Sequence, residues 1–326
     1  MHPAFSVIFL TTLIGAGQGL FLALTTVELY GVFDLLPAAD GRRFYAAGSL
    51  IVLVLLGLGL VASIFHLGRP ERGWRAASRW RTSWLSREII VLPAFMGAVF
   101  VYGVVHWFGW REPSLAVSDA LAVTPSIALA AVGTLLAFAL FVCTGMIYAC
   151  IKFLQEWASP LTVLNYVLLG GASGFTLATG FAAVVAPDLT RFLGVWAAIL
   201  TVLAFVFRVA SLVRNARLKP KSTLQTAIGV KHPRVVQKAQ GFMGGSFNTR
   251  EFFHGKSREL LRSVKWSFLV LAFLVPLGLL WIGLAGRSPG LLFAAFTVQY
   301  VGLLAERWFF FAQANHPQNL YYQAIA

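Results

Sequence analysis

The chain has 326 residues, 58% of them hydrophobic and only 12% charged, with a mean hydropathy of +0.77 and a formal net charge of +14. So little charge cannot cover the surface of a soluble domain this long, which excludes the soluble globular and the disordered classes. Apolar runs of roughly 20 residues recur, each long enough to cross a bilayer. The expectation is an all-α polytopic membrane protein, a bundle of about eight transmembrane helices forming one integral membrane domain over residues 1–326.

In chain order, the first run extends from Phe5 to Phe33. It is too long for the apolar region of a signal peptide and has no basic segment ahead of it, so it reads as the first span. Further spans are expected at 44–66, 84–109, 122–151, 160–186, 190–213, 264–286 and 289–313. Most connections are short and polar, among them Asp34 to Arg43, Trp110 to Leu121, Pro187 to Arg191 and the tight Gly286-Arg287-Ser288-Pro289 turn. Two are long: the arginine-rich 67–83 stretch, and 214–263, which carries Pro220, Pro233 and a glycine-rich run from Gly241 to Gly245.

Eight spans place both termini on one side. That side collects 20 of the 26 lysines and arginines, while the other holds five: Arg42, Arg43, Arg111, Arg191 and Arg287. The positive-inside rule then assigns the basic side and both termini to the cytoplasm. A basic surface for an acidic protein partner would produce the same split. Nothing in these basic runs points to nucleic acid; lipid phosphate and protein are the expected counterparts.

The 63–88 stretch is the richest in chemistry. His66 closes one span, and Glu88 lies near the start of the next. Helices joined by a short connection usually pack together, so an imidazole and a carboxylate there can face one interfacial pocket. Such a pair could hydrogen-bond a quinone carbonyl and move protons. Ionisable groups at membrane depth are costly and favour a functional reading; the bland alternative is that both groups cap helices in headgroup water. Arg69, Arg72, Arg75, Arg79 and Arg81, with Trp74, Trp80 and Trp84, read by default as an interfacial anchor for lipid phosphates. Arg72, close to His66 on a short turn, is the one with a claim to a ligand role.

Cys143 and Cys150 lie two helical turns apart, too far for a disulfide, and two thiolates cannot hold an iron–sulfur cluster. No two histidines share a depth within the spans: His106 sits about a membrane thickness from His66, and the others fall in loops or termini. No haem and no cluster is therefore expected in this chain. Gln18, among Gly15, Gly17 and Gly19, suggests an interhelical hydrogen bond. Glu28 and Glu306 fit either a proton path or partners for arginine. The 214–263 segment is too polar to span; its exposed aromatics and glycine turns suit a protein-docking surface, or a lipid-hugging loop.

The run His66-Leu67-Gly68-x-Pro70-x-Arg72, followed by Ser86-x-Glu88, resembles the hydrophobic anchor subunit of the dimethyl sulfoxide reductase family. The segments Gly241 to Phe253 and Glu306-Arg307-Trp308-Phe309-Phe310-Phe311 are similar to later parts of that family, so the likeness covers essentially the whole chain. It implies a three-part enzyme. A molybdopterin catalytic subunit performs substrate chemistry, a ferredoxin-like subunit carries electrons through [4Fe–4S] clusters, and the anchor exchanges them with the quinone pool, ubiquinone or menaquinone. The positions matching His66, Arg72 and Glu88 are associated with quinol in the family. The implied quinone-binding set here is His66, Gly68, Arg69, Arg72, Trp74 and Glu88, and the implied docking residues are Phe242, Phe247, Asn248, Arg250, Phe252 and Phe253.

One departure concerns sidedness. The dimethyl sulfoxide reductase anchor presents this end to the periplasm, whereas the charge split here points inward, as in relatives that oxidise sulfite or phenylacetyl-CoA. The expectation is an inward-facing quinone reductase in a bacterial inner membrane, with sulfite as substrate of the catalytic subunit. The competing expectations are an anchor that oxidises quinol for an S-oxide reductase, a purely structural anchor, and a transporter. Against the transporter stand the lack of an evident inverted repeat and of a chain of carboxylates along the spans.

Overall fold

The computed structural model describes residues 1–36, 39–110, 115–118, 121–236, 238 and 251–321. Each apolar run closes its own backbone hydrogen bonds, as a polypeptide without water around it must. Among the described residues, eight helices are long and apolar enough to cross a membrane: α1 Phe5–Val32, α2 Gly41–Ile64, α3 Trp84–Phe108, α4 Pro125–Ala149, α5 Pro160–Val185, α6 Thr190–Ala216, α7 Arg258–Ala285 and α8 Pro289–Ala312. The protein is thus a multi-pass membrane protein of the all-α class. A small antiparallel hairpin, β1 Leu115–Ser118 and β2 Leu121–Val123, links α3 to α4.

Local chemistry sets the helix starts. Thr124, Ser159 and Ser288 each accept a backbone N–H of the first turn and stand directly before Pro125, Pro160 and Pro289. A hydroxyl cap followed by proline satisfies one orphan donor and removes another. Ser83 caps α3 and Ser257 caps α7 in the same way, without proline. Helix α7 begins at Arg258 rather than 264, and α6 runs past 213 to Ala216, because charged residues extend both helices into the interface. Midway along α7, a π-helical stretch over Val270–Leu274 precedes Pro276, whose ring cannot donate to the regular ladder.

Helices α1 and α5 form the centre and are the most buried of the eight. Helix α5 packs on α1, α4, α6 and α8, while α2 and α3 flank the other side of α1 and α4. With no hydrophobic drive between helices in lipid, close approach depends on small residues. Gly19 of α1 meets Gly170 and Gly174 of α5 so closely that a Cβ on either side would overlap backbone. Gly302 of α8 is pressed against Leu271 and Ala272 in the same manner. Buried polar groups are also used as ties. Gln18 donates from Nε2 to the Ala137 carbonyl at 2.8 Å, the interhelical bond expected of it. Gln299 bridges Thr201 at 3.1 Å and the Ala272 carbonyl at 3.3 Å, joining α8, α6 and the π segment. Large apolar side chains such as Leu135 and Trp281 remain exposed on the outer faces, where lipid replaces water.

The first residues and the stretch after α8 come together at the basic end of the bundle. The His2 amide donates to the Glu251 carbonyl at 2.9 Å, Asn319 Nδ2 donates to the Phe252 carbonyl at 3.3 Å, and the Phe252 ring stacks on His316 with centroids 3.6 Å apart. Arg214 and Asn215, at the end of α6, hold the carbonyls of Gln155, Glu156 and Ala158 in the α4–α5 connection.

Candidate functional site

The last turn of α2 ends at Ile64, and the backbone turns out through His66 into a 3₁₀ segment, Pro70–Arg79. His66, Gly68, Arg69, Arg72 and Trp74 are exposed or nearly so along this edge. Partial desolvation lowers the His66 pKa below the usual 6.5, which favours the neutral imidazole. Arg72 meets Glu71 at 3.8 Å, a loose exposed pair of the kind worth little. Arg75, Arg81 and Arg87 lie over the rings of Trp74, Trp80 and Trp84, at 5.6, 5.4 and 4.1 Å. These pairs make a cationic, aromatic belt at the level of lipid headgroups.

Glu88 is placed differently. The Ser86 hydroxyl donates to the Ala76 carbonyl and ties the 3₁₀ segment to the start of α3. Arg87 turns outward to the Trp80 and Arg81 carbonyls, which leaves Glu88 pointing into the bundle. Thr144 of α4 donates to its Oε1 at 2.5 Å. Beneath lies a crevice walled by Thr11, Gln18, Phe141, Thr144 and Tyr166, with about 10 Å³ of free volume, the size of one water. His66 is not part of that wall, so the two residues occupy the rim and the depth of one end of the molecule rather than a shared cavity.

The crevice leads to a charged cluster that the sequence alone did not assemble. Tyr166 lies under the Arg307 guanidinium, 3.8 Å from its ring centre. Arg307 Nε is 3.2 Å from Glu306 Oε2, and Arg208 Nε is 2.7 Å from Glu306 Oε1, with all three side chains almost fully buried. Counting along their helices, Tyr166, Arg208 and Glu306 all lie roughly 9–12 Å from the basic end. Shared depth was the available signal: ionisable residues in separate apolar spans at one level are candidates to pair. At the opposite end, Glu28 and His106 also meet, with Nε2 of the histidine 3.3 Å from Oε1 of the carboxylate.

Of the docking set, Phe242, Phe247, Asn248 and Arg250 fall outside the described residues. Phe253 is buried within the protein, and Phe252 is the ring stacked on His316. Cys143 and Cys150 are both free, and among the described residues no group of three His, Cys, Asp or Glu side chains is arranged to hold a metal.

Eight packed helices, a cationic rim and a carboxylate set just below it define a membrane anchor. The DMSO reductase anchor subunit (DmsC) family matches residues 1–236, and the protein belongs to that family. It is 59% identical over 326 residues, the whole of both sequences, to the C component of the sulfite dehydrogenase of Allochromatium vinosum. It is also 30% identical over 108 residues to the C component of the anaerobic dimethyl sulfoxide reductase of Haemophilus influenzae, a match spanning 33% of this sequence and 37% of that one.

Proposed function

We propose that this protein is the quinone-reactive anchor of a sulfite-oxidising iron–sulfur molybdoenzyme, seated at the cytoplasmic face of a bacterial inner membrane. Its partners on this reading are a ferredoxin-like [4Fe–4S] subunit and a molybdopterin subunit, docked on the basic end that carries 67–83 and 214–263. Support for sulfite comes from the full-length likeness to the C component of a sulfite dehydrogenase. The inward orientation rests on the 20-to-5 distribution of Lys and Arg.

The observation that carries the quinone reading is the position of Glu88, just below the rim, bonded to Thr144 over a water-sized crevice. A quinone head supplies two-electron, two-proton chemistry when it arrives from the lipid. Neutral His66 at the rim donates a hydrogen bond to one carbonyl oxygen, and Arg72 offsets negative charge gathering on the head. Glu88 passes protons between the crevice and the reacting oxygen, and Thr144 holds its carboxylate in place. Gly68, Arg69 and Trp74 shape the rim at which the head enters. Electrons and protons approach from one side, so this arrangement alone moves no net charge across the membrane.

The test uses assembled complex. His66→Ala and Glu88→Gln should keep full turnover with a soluble dye, while quinone-linked activity falls. Losing the hydrogen bond between neutral His66 and the carbonyl, ~0.5–1.5 kcal/mol, weakens quinone binding by roughly two- to ten-fold, and Glu88→Gln slows turnover through the proton step. Normal quinone kinetics in both variants would place the site elsewhere.

A further inference from the structure

A second buried polar cluster lies at the other end of the bundle. Glu28, near the end of α1, receives a hydrogen bond from the Tyr102 hydroxyl at 2.7 Å on one oxygen and faces His106 at 3.3 Å on the other. Tyr45 stacks on the His106 ring at 4.4 Å, so the imidazole is clamped between two aromatic rings and a carboxylate. The three helices α1, α2 and α3 each contribute, and ionisable groups brought together at this depth are costly unless they serve something.

Beside this cluster is a cavity of about 590 Å³ between α1, α4, α5 and α6. It runs from the level of Glu28 and Ile127 past Phe138 and Phe175 near mid-helix to Val167 and Leu168. Its walls are almost wholly apolar, and Glu28, Thr25, Thr26 and Thr134 supply its polar side chains, the Thr25 and Thr134 hydroxyls 3.4 Å apart. Leu29, Leu135 and Phe138 line it and are also exposed on the outer surface, so the cavity opens towards lipid.

We infer that this cavity is a second binding site for a neutral, lipid-soluble quinone or quinol, on the face opposite the docking end. The volume falls within the roughly 300–1,000 Å³ of small-molecule sites, and apolar walls with a few polar groups at one end match their usual make-up. Among the described residues no basic side chain lines the cavity, which selects against the phosphate of a lipid headgroup. The carboxylate can accept from a quinol hydroxyl, and the threonine hydroxyls can donate to a quinone carbonyl. The inference takes from the proposed function only that the carrier is a quinone; it does not depend on where that carrier is reduced.

The experiment is photolabelling of the assembled complex in lipid nanodiscs with an azido-ubiquinone, followed by peptide mapping. Label is expected on the Thr25–Leu29 and Ile127–Phe138 stretches, displaced by excess ubiquinone-1. Ala131→Trp, which fills the cavity from an exposed position, should cut that label at least tenfold. Glu28→Gln should raise the ubiquinol-1 concentration needed for displacement about tenfold, the loss of one charge-assisted bond from a quinol hydroxyl to the carboxylate. His66→Ala should leave it unchanged. Label confined to the 66–88 region would overturn the second site while sparing the proposed function. Label here and none near Glu88 would support the second site and count against the proposed one. A phospholipid retained in the cavity, or label undiminished in Ala131→Trp, would overturn the inference.

Discussion

Replacing Glu306 by glutamine tests the buried charge cluster directly. Glu306 is the single carboxylate between Arg208 at 2.7 Å and Arg307 at 3.2 Å, with side-chain exposures of 1%, 2% and 5% for the three. The native trio carries one net positive charge, softened by the ring of Tyr166 under Arg307. Glu306→Gln keeps the shape but strands two guanidinium groups. Breaking one buried pair costs roughly 3–5 kcal/mol, so losing both contacts at once should cost about 6 kcal/mol or more. Arg208→Met, by contrast, leaves Glu306 and Arg307 as a neutral pair and strands nothing, so it should lie within about 2 kcal/mol of the parent. Thermal melts of the purified complex, followed by tryptophan fluorescence, separate the two. Arg208→Met should shift the midpoint by no more than about 5 °C, and Glu306→Gln by at least about 10 °C or to the point of not accumulating in membranes. Equal, small shifts for both variants would refute the claim that Glu306 neutralises the pair.

Gly19→Ala should disrupt the α1–α5 contact and abolish accumulation, whereas Gly57→Ala, which meets nothing within 4 Å, should be silent; quantitative immunoblots of membranes decide. Because the folded-state pKa of His66 is lowered, its neutral form dominates above pH 6.5 and is lost only as pH falls below that. Quinone-linked turnover should therefore be level from pH 8 to about 6.5 and decline on the acid side, with the decline absent in His66→Gln and in the dye-linked assay. A reporter fused after Ala326 should read as cytoplasmic, and a periplasmic signal would reverse the orientation derived from charge.

The spans were legible because each is a long apolar run bounded by proline, serine or glycine, and lipid leaves helices as the outcome. Boundaries drifted where charged residues prolong a helix, as at Arg258 and Arg214, since hydropathy marks the hydrocarbon layer rather than the helix end. Gln18 was legible as an interhelical donor because glycines surround it, although its partner, a backbone carbonyl on α4, was not. Glu28 and Glu306 were flagged as polar groups needing partners. Glu306 proved to hold arginines, while Glu28 met His106 and Tyr102. Such pairings join residues far apart in sequence, and helix rotation decides them. The same rotation separates His66, on the rim, from Glu88, turned inward by the outward course of Arg87.

The grip of His316 and Asn319 on Phe252 sets an order on biogenesis. Residues 316 and 319 follow the last span, so this clasp on Phe252, unlike the His2 bond to Glu251, closes only after the last helix has been synthesised. A ribosome-bound or truncated anchor would display the loop without this clasp. On the proposed reading, partner subunits that recognise the clasped form would dock only on a finished bundle.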